Sequence, residues 1–334
     1  MVEKNLNPSL HSAELGKLWA TYLGNTMGVC ILKYFIKHCD DQDTKKILEN
    51  ALDLSNFILK NIKKIFEDEN FPIPYGFKEE EDLNLDAPRL FKDDFYLFYL
   101  HYSSKAGISV YTAGIPLLTR KDIKDLFAEI LDKTVQLIIS VNNLLTEKKL
   151  LMSPPKIPIP KQIDFIKRQN YLTGWFGEKR SLNGLEIGHL YDNLTNDITS
   201  KALVLGFSQV TENKKVKDYF HRGMQINHKH IQKMMDKLHR DHLPSPNIID
   251  NLVTKSTVAP FSDKLMLFHK IDMFTVKIRK YSEGASLSAR RDIGALYAKF
   301  IMDVALFVED GAELMIDQGW MEQMPKSINR RELQ

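Results

Sequence analysis

Apolar residues recur along this chain at helical spacing almost throughout. Leu15, Leu18, Trp19, Tyr22, Val29 and Cys30 share one face of a helix predicted over about 12–38, and Ile47, Ala51, Leu54, Ile58, Ile62 and Ile65 mark a second over about 42–69. Two more are predicted over 92–115 and 120–149. The same four recur at 184–210, 213–241, 262–287 and 290–318, the last with Ile293, Leu296, Phe300, Val304, Phe307, Gly311 and Leu314 as its stripe. Strand-like alternation is nowhere sustained. Start signals agree with these limits: Asp40 to Asp43 supply caps for the second helix, and Thr119 with Asp122 and Asn183 with Glu186 have capping-box spacing.

The recurrence is a duplication. Sliding the sequence by 172 positions pairs Glu14 with Glu186, Gly16 with Gly188, Phe35 with Phe207, Pro72 with Pro244, Pro74 with Pro246 and Pro88 with Pro260. After Pro88 the first copy carries two extra residues, Arg89 and Leu90. The match then resumes at an offset of 170, pairing Phe91 with Phe261, Tyr111 with Tyr281, Gly114 with Gly284 and Pro155 with Pro325. Such a period far exceeds the roughly 20–50 residues of a solenoid repeat, so each copy is expected to hold a core of its own.

Within each copy, the first and second helices, and the third and fourth, are joined by a few residues and must be antiparallel neighbours. The second and third are separated by about twenty residues opening on Pro-x-Pro, long enough to run the length of a bundle as the crossover of ferritin-like folds does. The predicted fold class is therefore all-α, two tandem ferritin-like four-helix bundles, with copy one over 1–152, a linker over 153–182 and copy two over 183–334. The linker is Pro-rich at 153–160, which favours an extended rod, and then aromatic and basic through Phe165, Trp175 and Phe176. Its aromatics are expected to pack between the bundles, with a membrane-surface or partner-binding segment as the alternative.

Composition narrows the function classes. With 43% hydrophobic and 27% charged residues the chain reads as globular, and a net charge of +3, dispersed among acidic residues, gives no phosphate-binding stripe and no case for nucleic acid. No apolar stretch is long enough for a transmembrane segment and the N-terminal residues lack a secretory signal, so a cytoplasmic location is expected. Cys30 and Cys39, nine residues apart, are too distant to bond along a helix and read as buried thiols.

A ferritin-type di-metal centre needs a Glu from each of two helices and Glu-x-x-His from each of the other two. Copy one has no Glu-x-x-His. Copy two holds seven of the ten histidines, yet its last helix has none, Glu186 reads as a capping carboxylate, and His239 and His242 fall at a helix end. His230, His269, Asp272 and Asp303 remain as candidate ligands on apolar helix faces. A lone histidine there reads first as a hydrogen-bonded core residue. No nucleophile elbow, phosphate-binding loop or exposed reactive cysteine is present in the sequence.

The runs Phe71-Pro-Ile-Pro-Tyr-Gly-Phe77, Asp86-Ala-Pro-Arg-Leu-Phe91, Lys201-Ala-Leu-Val-Leu-Gly-Phe-Ser-Gln-Val210, Pro260-Phe-Ser-Asp-Lys-Leu-Met-Leu-Phe-His269 and Glu309-Asp-Gly-Ala-Glu-Leu-Met315 resemble a family of tandem-bundle proteins of unknown function from spore-forming Firmicutes. That family is similar to the spore-coat protein F group. The resemblance implies a ferritin-like fold and spore-coat association, and supplies no catalytic residues. Two readings follow. One is a non-catalytic structural or interaction protein with protein partners or self-association and no cofactor. The other is a degenerate metalloprotein holding one Fe or Zn in the second bundle. A third, an apolar ligand or lipid held in the space between the bundles through Trp175 and Phe176, rests on the linker's aromatics alone.

Overall fold

The computed structural model describes residues 9–174 and 179–333. Its helices are α1 (Ser12–His38), α2 (Gln42–Asp68), the single turn α3 (Glu79–Asp82), α4 (Asp93–Gly114), α5 (Lys121–Glu147), α6 (Gly184–Val210), α7 (Lys214–Arg240), α8 (Asp263–Ser286) and α9 (Arg291–Asp317). The eight long helices fall within two residues of their predicted limits. Among the described residues strand-like pairing is limited to isolated bridge residues, among them the antiparallel bridge between Phe91 and Val253. The protein is all-α and its bundles are duplicated.

The duplication reaches into backbone detail. Asn70 and His242, equivalent at the first offset, both take left-handed φ, at 54° and 56°, just past the ends of α2 and α7. The next residue then bonds back to the helix, Phe71 N–H to Phe66 O at 2.8 Å and Leu243 N–H to Leu238 O at 3.0 Å, closing the last turn. Lys149 and Gly319 repeat the device after α5 and α9 at 58° and 70°.

The helix starts are shared as well. Asn183 caps α6 and Glu186 reciprocates, the expected capping box. His11 does the same for α1 through Nδ1, with Glu14 returning the bond. Glu14 Oε1 also accepts from Thr119 N–H and Arg120 N–H, each at 2.8 Å. Its equivalent Glu186 accepts from Arg290 N–H at 2.9 Å and from both terminal nitrogens of Arg180 at 2.8 Å. A buried carboxylate thus ties the start of the first helix to the start of the last in each repeat.

Two compact units result. Unit 1 comprises residues 1–86, 100–144 and 319–334; unit 2 comprises 87–99 and 145–318. In unit 1, Leu18, Ile58, Ile62, Phe66, Tyr111, Ile123, Phe127 and Ile130, drawn from α1, α2, α4 and α5, form one core. Glu322 adds its carboxylate to the N–H groups of Tyr75 and Gly76. In unit 2, α6 packs on α7 and α8, and α9 on α7 and α8, a four-helix ring. The inserted Arg89 and Leu90 are used here: Lys92 N–H bonds Leu252 O, Thr254 N–H bonds Leu90 O, each at 2.9 Å, and Thr254 Oγ1 bonds Arg89 O at 2.6 Å. Phe91 lies flush against α6, where a Cβ on Gly206 would come within 2.6 Å of its ring.

The expectation that the linker's aromatics are packed away fails at Phe165, which is 84% exposed. The preceding prolines favour an extended course, and Phe165 stays at the surface. Trp175 and Phe176 lie outside the described residues. Cys30 and Cys39 are buried free thiols as expected, and burial, aided by the Asp82 and Glu79 charges, pushes the Cys30 thiol up to about 12.

Candidate functional site

Helix α6 is buried nearly all round, and Asn193, Asp197 and Ser200 point into the core of unit 2. Their spacing of four and three puts them on one face. Asn227 and His230 come from α7, Lys270, Lys277 and Tyr281 from α8, and Tyr297 from α9, all of them buried. An ion pair forms the centre: Lys277 Nζ is 3.0 Å from Asp197 Oδ1, and Tyr281 donates its hydroxyl to Asp197 Oδ2 at 2.6 Å. Lys277 also donates to Asn227 Oδ1, whose amide donates to Ser200 Oγ at 3.4 Å. Lys270 Nζ closes the chain on Ser200 O at 3.0 Å and Oγ at 2.9 Å. On the other side His230 Nδ1 meets Tyr281 Oη at 3.1 Å, and its Nε2 meets Asp303 Oδ2 at 3.3 Å.

Burial decides the charge states. It pushes both lysines below the ordinary value. Lys270 falls furthest, since Lys277 adds repulsion, while at Lys277 the Asp197 charge opposes the shift. Burial likewise lowers His230 to about 4, against the Asp197 and Asp303 charges, and His269 to about 3, so both are neutral at pH 7.

The four predicted ligands are not brought together. His230 and Asp303 meet, but Asp303 is also taken by Lys229 at 2.8 Å and His230 stacks on Phe300 at 3.8 Å between centroids. His269 instead bonds Tyr99 Oη at 2.7 Å, and Tyr99 is its own equivalent in the first repeat. Asp272 is exposed. One turn on from His269 it stands about 60° further round the helix, which takes it past the rim of the core. Among the described residues no three His, Cys, Asp or Glu side chains are placed to share a metal ion.

The residues present do not fit a di-metal centre. Its carboxylates must be free to ligate, whereas the carboxylate at the centre of this core already accepts from an ammonium and a phenol, and two lysines project where further anionic ligands would be needed. What the network does is satisfy every charge it buries with a partner of opposite sign or a hydrogen bond.

Sequence reasoning missed Asp197, Lys270, Lys277, Asn227 and Ser200. The signal was available. At the two offsets their counterparts are Asn25, Leu100, Gly107, Ser55 and Gly28, and His230 answers Ile58. Lys270, Lys277 and His230, standing where the other repeat has Leu100, Gly107 and Ile58, mark a polar core. In unit 1 the same place is closed by packing, with Gly28 allowing contact to Ser55 Oγ at 3.7 Å from its notional Cβ.

Both repeats match one protein family, described as "Protein of unknown function (DUF3231)", over residues 3–163 and 170–333. The chain belongs to the DUF3231 family. Each matched segment spans one of the two repeats and runs into the stretch between them. Among solved structures the chain is similar to a "putative spore coat protein" from Bacillus halodurans, at 20% identity and a TM-score of 0.42, covering 46% of this chain and 98% of that one. No curated protein matches.

Proposed function

We propose that this DUF3231 protein is a non-catalytic structural or interaction protein that works through its packed bundles and its surface. The observation carrying this reading is the closed network around Asp197. Lys277 is paired with the Asp197 carboxylate and Lys270 is hydrogen-bonded to Ser200, both beneath packed side chains, which supports a packing role for these groups. At equivalent core positions unit 2 has an ion pair, whereas unit 1 has no charged residue and packs Gly28 beside Ser55. Association with the spore coat is the finer part of the proposal, supported by the motif resemblance of residues 71–77, 201–210, 260–269 and 309–315.

Elemental analysis of protein purified without a histidine tag, paired with an iron-oxidation assay, tests the first part. We expect no stoichiometric metal and no ferroxidase activity; two irons per chain, lost in Asp197→Ala, would overturn it. Immunodetection in coat extracts of purified spores tests the second part, and confinement to the soluble fraction of the mother cell would count against it.

A further inference from the structure

We propose that residues 156–168 form a docking segment for an anionic lipid surface. Ile159, Ile163 and Phe165 are 92%, 83% and 84% exposed, and Ile157 and Ile166 are exposed beside them. Single exposed apolar residues are ordinary, but a contiguous run of this size marks an interaction surface. The run is interleaved with Lys156, Lys161, Lys167 and Arg168 against the single acid Asp164, whose carboxylate accepts from Gln162. None of these four cations forms a salt bridge among the described residues, in contrast to Lys229, Lys237 and Arg290, which are paired. Unpaired cations beside unburied apolar side chains are what a headgroup layer complements: the cations meet phosphates while Ile and Phe enter the acyl boundary.

Local backbone chemistry keeps the segment available. Pro154, Pro155, Pro158 and Pro160 remove N–H donors and fix an extended course, so this stretch neither coils into a helix nor pairs as a strand. Past them, Phe165, Ile166, Lys167 and Arg168 line a surface hollow of about 630 Å³ floored by Tyr171. Arg180 at its edge is already engaged, stacked 4.0 Å from the Tyr171 ring and paired with Glu186, so the free charge is that of Lys167 and Arg168. No helix among the described residues is long and apolar enough to cross a membrane, and surface docking needs none.

Vesicle flotation with the full chain tests the proposal, using phosphatidylcholine alone and mixed with phosphatidylglycerol. We expect at least roughly tenfold stronger binding to the anionic vesicles, from about fivefold per engaged cation, and marked weakening in high salt. Two variants should each lose most of that binding while melting as the parent does: Lys161→Glu/Lys167→Glu/Arg168→Glu and Phe165→Ser/Ile166→Ser. Absence of binding to either vesicle, or unchanged binding by the triple variant, overturns the proposal. So does a concentration-dependent dimer abolished by Phe165→Ser/Ile166→Ser, because a second copy is then the occupant.

Discussion

Lys277 and Asp197 face each other across the core of unit 2 at 3.0 Å, both essentially without solvent contact. Such a pair adds little net stability over an apolar replacement, since desolvation offsets the attraction, but removing one partner strands the other charge. Lys277→Met should therefore destabilise the protein by about 3–5 kcal/mol in urea denaturation. Lys277→Met combined with Asp197→Asn should recover at least half of that, because the amide still accepts from Tyr281 and both charges of the pair are gone. Equal losses in the single and double variants would contradict this account.

The helices were legible because their burial follows the 3.6-residue period, and the repeat because the register holds through the loops. Less legible were features set by contacts distant in sequence. Capping rules favour Ser, Thr, Asp and Asn over His11, yet its ring nitrogen accepts from Ala13 and Glu14 N–H where Asn183 in the other copy accepts from Glu186 N–H. The inserted Arg89 and Leu90 read as a loop irregularity, and only the folded chain places them beside Thr254. Residue type alone favours histidines as ligands and passes over Lys270 and Lys277. Lysine in a helical stripe reads as surface until a neighbouring helix supplies Asp197.

The buried histidines set a pH window. His230 is lowered to about 4 and His269 to about 3, from an ordinary value near 6.5. Between those limits the unfolded chain takes up protons that the folded chain refuses, so stability rises with pH and is lost as pH falls from about 6.5 towards 4. Across its full window His230 contributes on the order of 3 kcal/mol and His269 on the order of 5 kcal/mol. Glu14, held at about 2 because its backbone donors outweigh the opposing effect of burial, acts lower: its stabilisation is present above its unfolded value and disappears as pH falls through about 2. Urea midpoints measured from pH 7 to pH 4 should fall, and His230→Phe should flatten the slope. A flat profile in the parent would refute the assignment.

Two glycines of α9 should respond to alanine in opposite directions. A Cβ on Gly311 would lie 2.4 Å from Tyr219 Oη and 2.7 Å from Ile271 Cγ1, and Tyr219 is fixed by stacking on Phe307 at 4.0 Å and by its bond to Phe307 O at 3.0 Å. Gly311→Ala should cost about 1–3 kcal/mol, as overpacking does. Gly294 has nothing within 4 Å of the same position, so Gly294→Ala should gain about 0.5–1 kcal/mol from helix propensity. Thermal melting of the two variants checks both signs.

The exchanged segment 87–99 makes unit 2 incomplete without the first repeat. Leu90, Phe91 and Phe95 are fully buried there, Phe91 and Phe95 stacked at 4.2 Å, and Tyr99 partners the otherwise unsatisfied His269. Burying three such side chains is worth roughly 4–9 kcal/mol at about 1.5–3 kcal/mol each, comparable with the whole stability of an ordinary domain. Residues 183–334 expressed alone should therefore lack a cooperative urea transition, while the full chain shows one. A fragment extended by a flexible linker to a second copy of residues 87–99 should regain cooperativity, and the same extension carrying Phe91→Ser and Phe95→Ser should not. Cooperative unfolding of the bare fragment at the full-chain midpoint would show instead that the crossover is dispensable to that core.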